Sequence, residues 1–88
     1  MNDTEIIEYI NNTDFITLDS VRRFLEKQFN IKPYYENYIN ERHYGDVIIG
    51  MDIYKIDDKF IYVEGLTYNY ANWHEDTVGY VKSGKYNI

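Results

Sequence analysis

The side chains best suited to chemistry are His74, Glu75 and Asp76, three titratable or ligating groups in a row. With His43 they could in principle hold a metal or shuttle a proton. Their spacing argues against both uses. Zinc-type ligand sets place two histidines four apart on a helix or pair them with cysteines, and this chain has neither pattern. On an extended chain, neighbouring side chains point to opposite faces, so the three do not converge on one proton. Nucleophilic catalysis needs a serine or cysteine beside a base. There is no cysteine, and the two serines are Ser20 and Ser83. The first falls in the opening turn of a predicted helix and the second in a predicted turn, so neither has the strand-turn-helix elbow. The glycines (Gly45, Gly50, Gly65, Gly79 and Gly84) are too scattered to cradle a phosphate. The pattern points away from an enzyme, and no metal or cofactor is expected.

Composition narrows the alternatives. The 88 residues suit one domain, expected over 1–88. A core of that size forms without disulfides, and the lack of cysteine fits a reducing cytosol. The opening Met1-Asn2-Asp3-Thr4-Glu5 has no basic leader, and no apolar stretch approaches a membrane span, so a cytoplasmic location is expected. The net charge is −6, with eight acids against five bases in residues 1–44 and seven against four in 45–88. Phosphate backbones repel such a chain, whereas a basic protein surface attracts it. The same charge also serves solubility. Eleven tyrosines, four phenylalanines and one tryptophan exceed what a small core absorbs. Some tyrosines must therefore reach the surface, where tyrosine and tryptophan are common interface anchors.

Hydrophobic periodicity places the elements. Asp3 to about Ile10 reads as a short helix, capped by Asn2, Asp3 or Thr4, with Ile6, Ile7 and Ile10 on one side. Asn11-Asn12-Thr13-Asp14 ends it. A second helix starts at Thr17 and buries Leu18, Val21, Leu25 and Phe29, with Phe24 beside them. Arg22, Arg23, Glu26 and Lys27 take its other face, and Asn30 and Pro33 stop it. Residues 34–44 do not alternate convincingly and read as a loop or short irregular helix. From Asp46 the period becomes two. Val47, Ile49, Met51 and Ile53 share one face, and Ile48, Gly50, Asp52 and Tyr54 the other. Ile56-Asp57-Asp58-Lys59 turns the chain into a second strand through Phe60, Tyr62, Glu64 and Leu66. A third strand is expected at Thr77–Lys82, then a turn at Ser83-Gly84 and a short strand at 85–88. Helices followed by antiparallel strands define an α+β class, with two N-terminal helices on a three- to four-stranded antiparallel sheet.

On this framework the binding residues are expected in two places. One is the aromatic–acidic stretch with Tyr68, Tyr70, Trp73, Glu75 and Asp76; the other is the hairpin tip, Asp57 and Asp58. Carboxylates on turns can stand in for DNA phosphates against a basic groove, while tyrosine and tryptophan supply the desolvated anchors. The expected partner is a protein with a basic surface, and a homodimer is compatible with the chain. Two helices before a hairpin also have the outline of a winged helix, which would read DNA through Arg22, Arg23 and Lys27. That alternative needs a third helix from 34–44 and sets Asp57 and Asp58 against phosphates.

In size, acidity and missing catalytic motif the chain resembles small accessory proteins of phages and mobile elements of low-GC bacteria. It is similar in overall character to anti-CRISPR proteins and other DNA-mimicking inhibitors. The resemblance rests on the acids and aromatics above, and it carries no diagnostic segment. It implies a role in blocking a host defence nuclease at its nucleic-acid-binding groove. An immunity or antitoxin-like protein would use the same kind of acidic face.

Overall fold

The structure is a computed structural model. It describes residues 2–15, 17–44, 47–67 and 81–87, with the backbone alone for 37–44, 47 and 48. Helix α1 (Asp3–Asn11) opens where the Asn2 side chain accepts a hydrogen bond from the Glu5 N–H (2.9 Å). Helix α2 (Leu18–Phe29) opens with a reciprocal cap between Thr17 and Ser20. It closes at Asn30, whose left-handed backbone (φ 56°) lets two N–H groups turn back onto the last carbonyls. Four antiparallel strands follow: β1 (Tyr35–Tyr44), β2 (Val47–Ile56), β3 (Lys59–Thr67) and β4 (Val81–Tyr86). They lie in the sheet in chain order. The α+β class and the N-terminal position of the helices are as the sequence predicts.

One face of the sheet is covered by the helices. Tyr54 and Ile56 of β2 and Ile61 and Val63 of β3 pack there against Ile6 and Ile10 of α1 and Leu18, Val21 and Leu25 of α2. Each such side chain contributes roughly 1.5–3 kcal/mol through burial. Phe24 forms an aromatic hub at the border, stacked on Tyr9, tilted against Phe15 and edge-on to Phe29. Asp52 sits on the same helix-facing side of β2 and is fully buried, a charge placed inside an otherwise apolar layer.

Two sequence expectations are corrected. Within 34–44, only Tyr34 lies in a bend; Tyr35–Tyr44 form neither loop nor helix but the edge strand β1, paired with β2. Its register slips between Asn37 and Asn40 and again between Asn40 and His43. Each slip inserts residues that break the period of two, which hides the strand from pattern reading. Ser83 and Gly84 make no turn but lie within β4, opposite Val63 and Tyr62. Their small size serves close packing. Ser83 is buried and exchanges backbone hydrogen bonds with the Asn11 side chain of α1 (2.8 and 3.0 Å). Gly84 lies under the Tyr62 ring, where a Cβ would come within 2.8 Å of a ring carbon. Of the strand expected at Thr77–Lys82, 77–80 lie outside the described residues, and β4 takes up Val81 and Lys82.

A buried hydroxyl gives a test of this packing. The Tyr54 side chain is fully buried and its Oη has no hydrogen-bond partner among the described residues. Burial pushes the phenol pKa up. Tyr54→Phe removes an unsatisfied polar group at almost constant volume, so stability should rise by about 1 kcal/mol. The urea midpoint measures this. An unchanged or lower midpoint would mean that the hydroxyl has a partner, such as an ordered water.

Candidate protein-binding surface

The residues expected to bind divide between two regions. Asp57 and Asp58 occupy the two-residue turn between β2 and β3, both exposed, with Asp57 in the left-handed region (φ 56°). Short polar aspartate tolerates that conformation better than most residues. Tyr68, Tyr70, Trp73, Glu75 and Asp76 lie outside the described residues. The described residues on either side of them are Thr67, which ends β3, and Val81, which pairs with Gly65. Both are at the far end of β3 from Asp57 and Asp58, about 25 Å away at the usual rise per residue.

Helix α1 adds two exposed acids, Glu5 and Glu8, which the sequence reading did not single out. Asp3, Glu5, Glu8, Asp14 and Asp19 all precede Arg22, the first basic residue of the chain. That gap was readable, but counting charge by halves of the chain averages it away. Glu5 and Glu8 of α1 and its C-cap Asn12 are exposed, and with Tyr9 and Thr13 they line a shallow depression of about 370 Å³. Tyr9 is 44% exposed, and its ring stacks on Phe24 at 4.8 Å with an interplanar angle of 2°. It is thus an aromatic group at the surface, held in one orientation before any partner arrives. The end of the helix is also tied down. Asn12 Nδ2 donates to the Glu8 carbonyl (2.8 Å), and Thr13 Oγ1 donates to that of Tyr9 (2.7 Å).

Helix α2 is different, because its charges other than the exposed Lys27 are paired. Arg23 pairs with Asp19 (2.8 Å), and Glu26 lies 3.7 Å from Lys32. Arg22 points toward the sheet. Its Nε donates to Asp52 Oδ2 (2.6 Å) and its Nη2 to Oδ1 (2.7 Å), a bidentate pair with Glu36 of β1 at 4.0 Å. Burial pushes the Asp52 carboxyl above the ordinary carboxylate range, against the opposite pull of the Arg22 hydrogen bonds. The Arg22 guanidinium is raised by Asp52 and stays charged. The pair fixes α2 to β2, and it removes Arg22 from the face that a winged helix would offer to DNA. Residues 35–44, which that reading needs as a third helix, are a strand.

Among the described residues no three histidine or carboxylate side chains are grouped so as to hold a metal, and no helix is long and apolar enough to cross a membrane. No protein-family model matches the chain, and neither a curated protein nor a solved structure matches it.

Proposed function

We propose that the protein acts by binding rather than by catalysis. In this reading it is an acidic, phage-type, cytoplasmic inhibitor of the anti-CRISPR kind that occupies a basic nucleic-acid-binding surface on a host defence nuclease. The observation that carries the reading is the outer face of α1, where Glu5 and Glu8 flank the stacked Tyr9 and no basic side chain precedes Arg22. Exposed carboxylates steer and orient a basic partner, and a preset aromatic ring supplies a desolvated anchor at low entropic cost. Asp57 and Asp58 extend the acidic display to the hairpin turn.

Two experiments test the reading together. The purified protein is expected to leave a duplex DNA probe unshifted at moderate salt. When immobilised, it should capture a nucleic-acid enzyme from a low-GC bacterial host and release it as salt rises, because screening shortens the reach of the carboxylates. A shifted probe would contradict the proposal and favour a DNA-binding regulator.

A further inference from the structure

A cavity of about 470 Å³ lies where the first turn of α1 meets the β2–β3 turn and the end of β4. Asp3, Asp58, Lys59, Phe60, Lys85, Tyr86 and Asn87 line it, and Glu5, Glu8 and Tyr9 do not. Asp3 is only 5% exposed, and its Oδ2 has no hydrogen-bond partner among the described residues. A carboxylate oxygen withdrawn from water without a partner is unfavourable, and a cation or donor reaching it from the cavity would relieve that cost. Lys59 and Lys85 are both exposed and pair with no described acid. The register sets Lys85 opposite Ile61, two residues along β3 from Lys59, so the two lysines are diagonal neighbours on the helix-facing side. Phe60 and Tyr86 also face each other across this strand pair, one residue out of step with the lysines and so on the opposite side of the sheet, where the Phe60 ring meets Tyr34 and Lys55.

The lining holds two acids and two bases and is neutral as a set. A lone cation would meet the lysines and a lone anion would meet the aspartates. A ligand with both charges a few bonds apart satisfies each side. We propose that this cavity binds a small zwitterion of the α-amino-acid type. Its ammonium pairs with Asp3 and its carboxylate bridges Lys59 and Lys85. The volume falls within the ordinary range for small-molecule sites.

The test is titration of the 15N-labelled protein with L-phenylalanine, beside phenethylamine and 3-phenylpropionate, which each lack one charge. Saturable amide shifts are expected at Asp3, Lys59, Lys85 and Tyr86, and each single-charge compound should bind at least about tenfold more weakly. Asp3→Asn and, separately, the double variant Lys59→Met/Lys85→Met should each weaken L-phenylalanine binding by about tenfold or more. Asn2 still caps α1 in both, and the double variant reads the same site if Asp3→Asn folds poorly. The proposal is overturned by three results: no saturable shift, equal binding of either single-charge compound, or unchanged binding in the variants. The no-shift result would mean that one of the lysines closes onto Asp3 within the chain. None of these results would touch the α1 surface proposed above, which lies outside the lining.

Discussion

Replacing Arg22 by alanine should destabilise the protein by about 3–5 kcal/mol, the largest loss expected from any single surface-reaching side chain. The reason is what remains behind. Asp52 is fully buried and loses both guanidinium hydrogen bonds, leaving an uncompensated carboxylate between α2 and the sheet. The loss should also depend on pH in a definite direction. Burial already raises the Asp52 pKa, and without Arg22 the folded-state value climbs further above the unfolded one. A carboxyl raised on folding favours the native state at low pH, and that contribution disappears as pH rises through the folded pKa. The gap between Arg22→Ala and the unaltered protein should therefore be widest at neutral pH and shrink on acidification. Urea unfolding at several pH values measures it. The double variant Arg22→Met/Asp52→Leu removes both charges and should recover most of the stability, since a well-packed apolar pair often replaces a buried ion pair without loss. A gap that widens toward acid would show that Asp52 is not the group responsible.

Reversing charge on the outer face of α1 should have the second large effect, this time on binding. In Glu5→Lys/Glu8→Lys, two carboxylates beside Tyr9 become ammonium groups that face the basic partner. Like charges set against each other across an interface are strongly unfavourable, so affinity should fall by about a hundredfold, or roughly 2.7 kcal/mol. Part of the change acts on the helix itself. Glu5 stands in the first turn of α1, where an acid suits the dipole, and its loss costs about 0.5 kcal/mol of local stability. Far-UV circular dichroism should nevertheless match the parent protein. Raising the salt should narrow the difference in affinity, because the Debye length falls to about 3 Å near 1 M. A double variant that binds as tightly as the parent would remove α1 from the interface.

The parts of the fold legible in the sequence are those where one local rule acts alone. Helix α2 shows its cap at Thr17, its apolar stripe and its stop at Asn30, and all three appear in the structure. The β2–β3 hairpin follows from alternation around Asp57-Asp58. Elsewhere a local signal was overridden by long-range packing. Strand β1 is disguised by two register slips that only the neighbouring strand makes intelligible. Ser83-Gly84 carries turn chemistry locally, yet Asn11 and Tyr62, distant in sequence, hold it in a strand. Arg22 looks like one more charge on a solvated helix face, because nothing nearby announces Asp52 thirty residues later. The candidate surface was half legible. Acidity and surplus aromatics were plain, but the stacking of Tyr9 on Phe24 joins two helices and has no local signature.

The central claim is that the acidic surface takes the place of nucleic acid on its partner. Competition measures this most directly. A preformed complex of the protein with the enzyme it captures is challenged with the nucleic acid that enzyme binds, and the release of labelled protein is followed. If the two share one basic groove, release should rise with nucleic-acid concentration, and Glu5→Lys/Glu8→Lys should compete far less well in the reverse experiment. A ternary complex that keeps the protein bound at saturating nucleic acid would contradict the account.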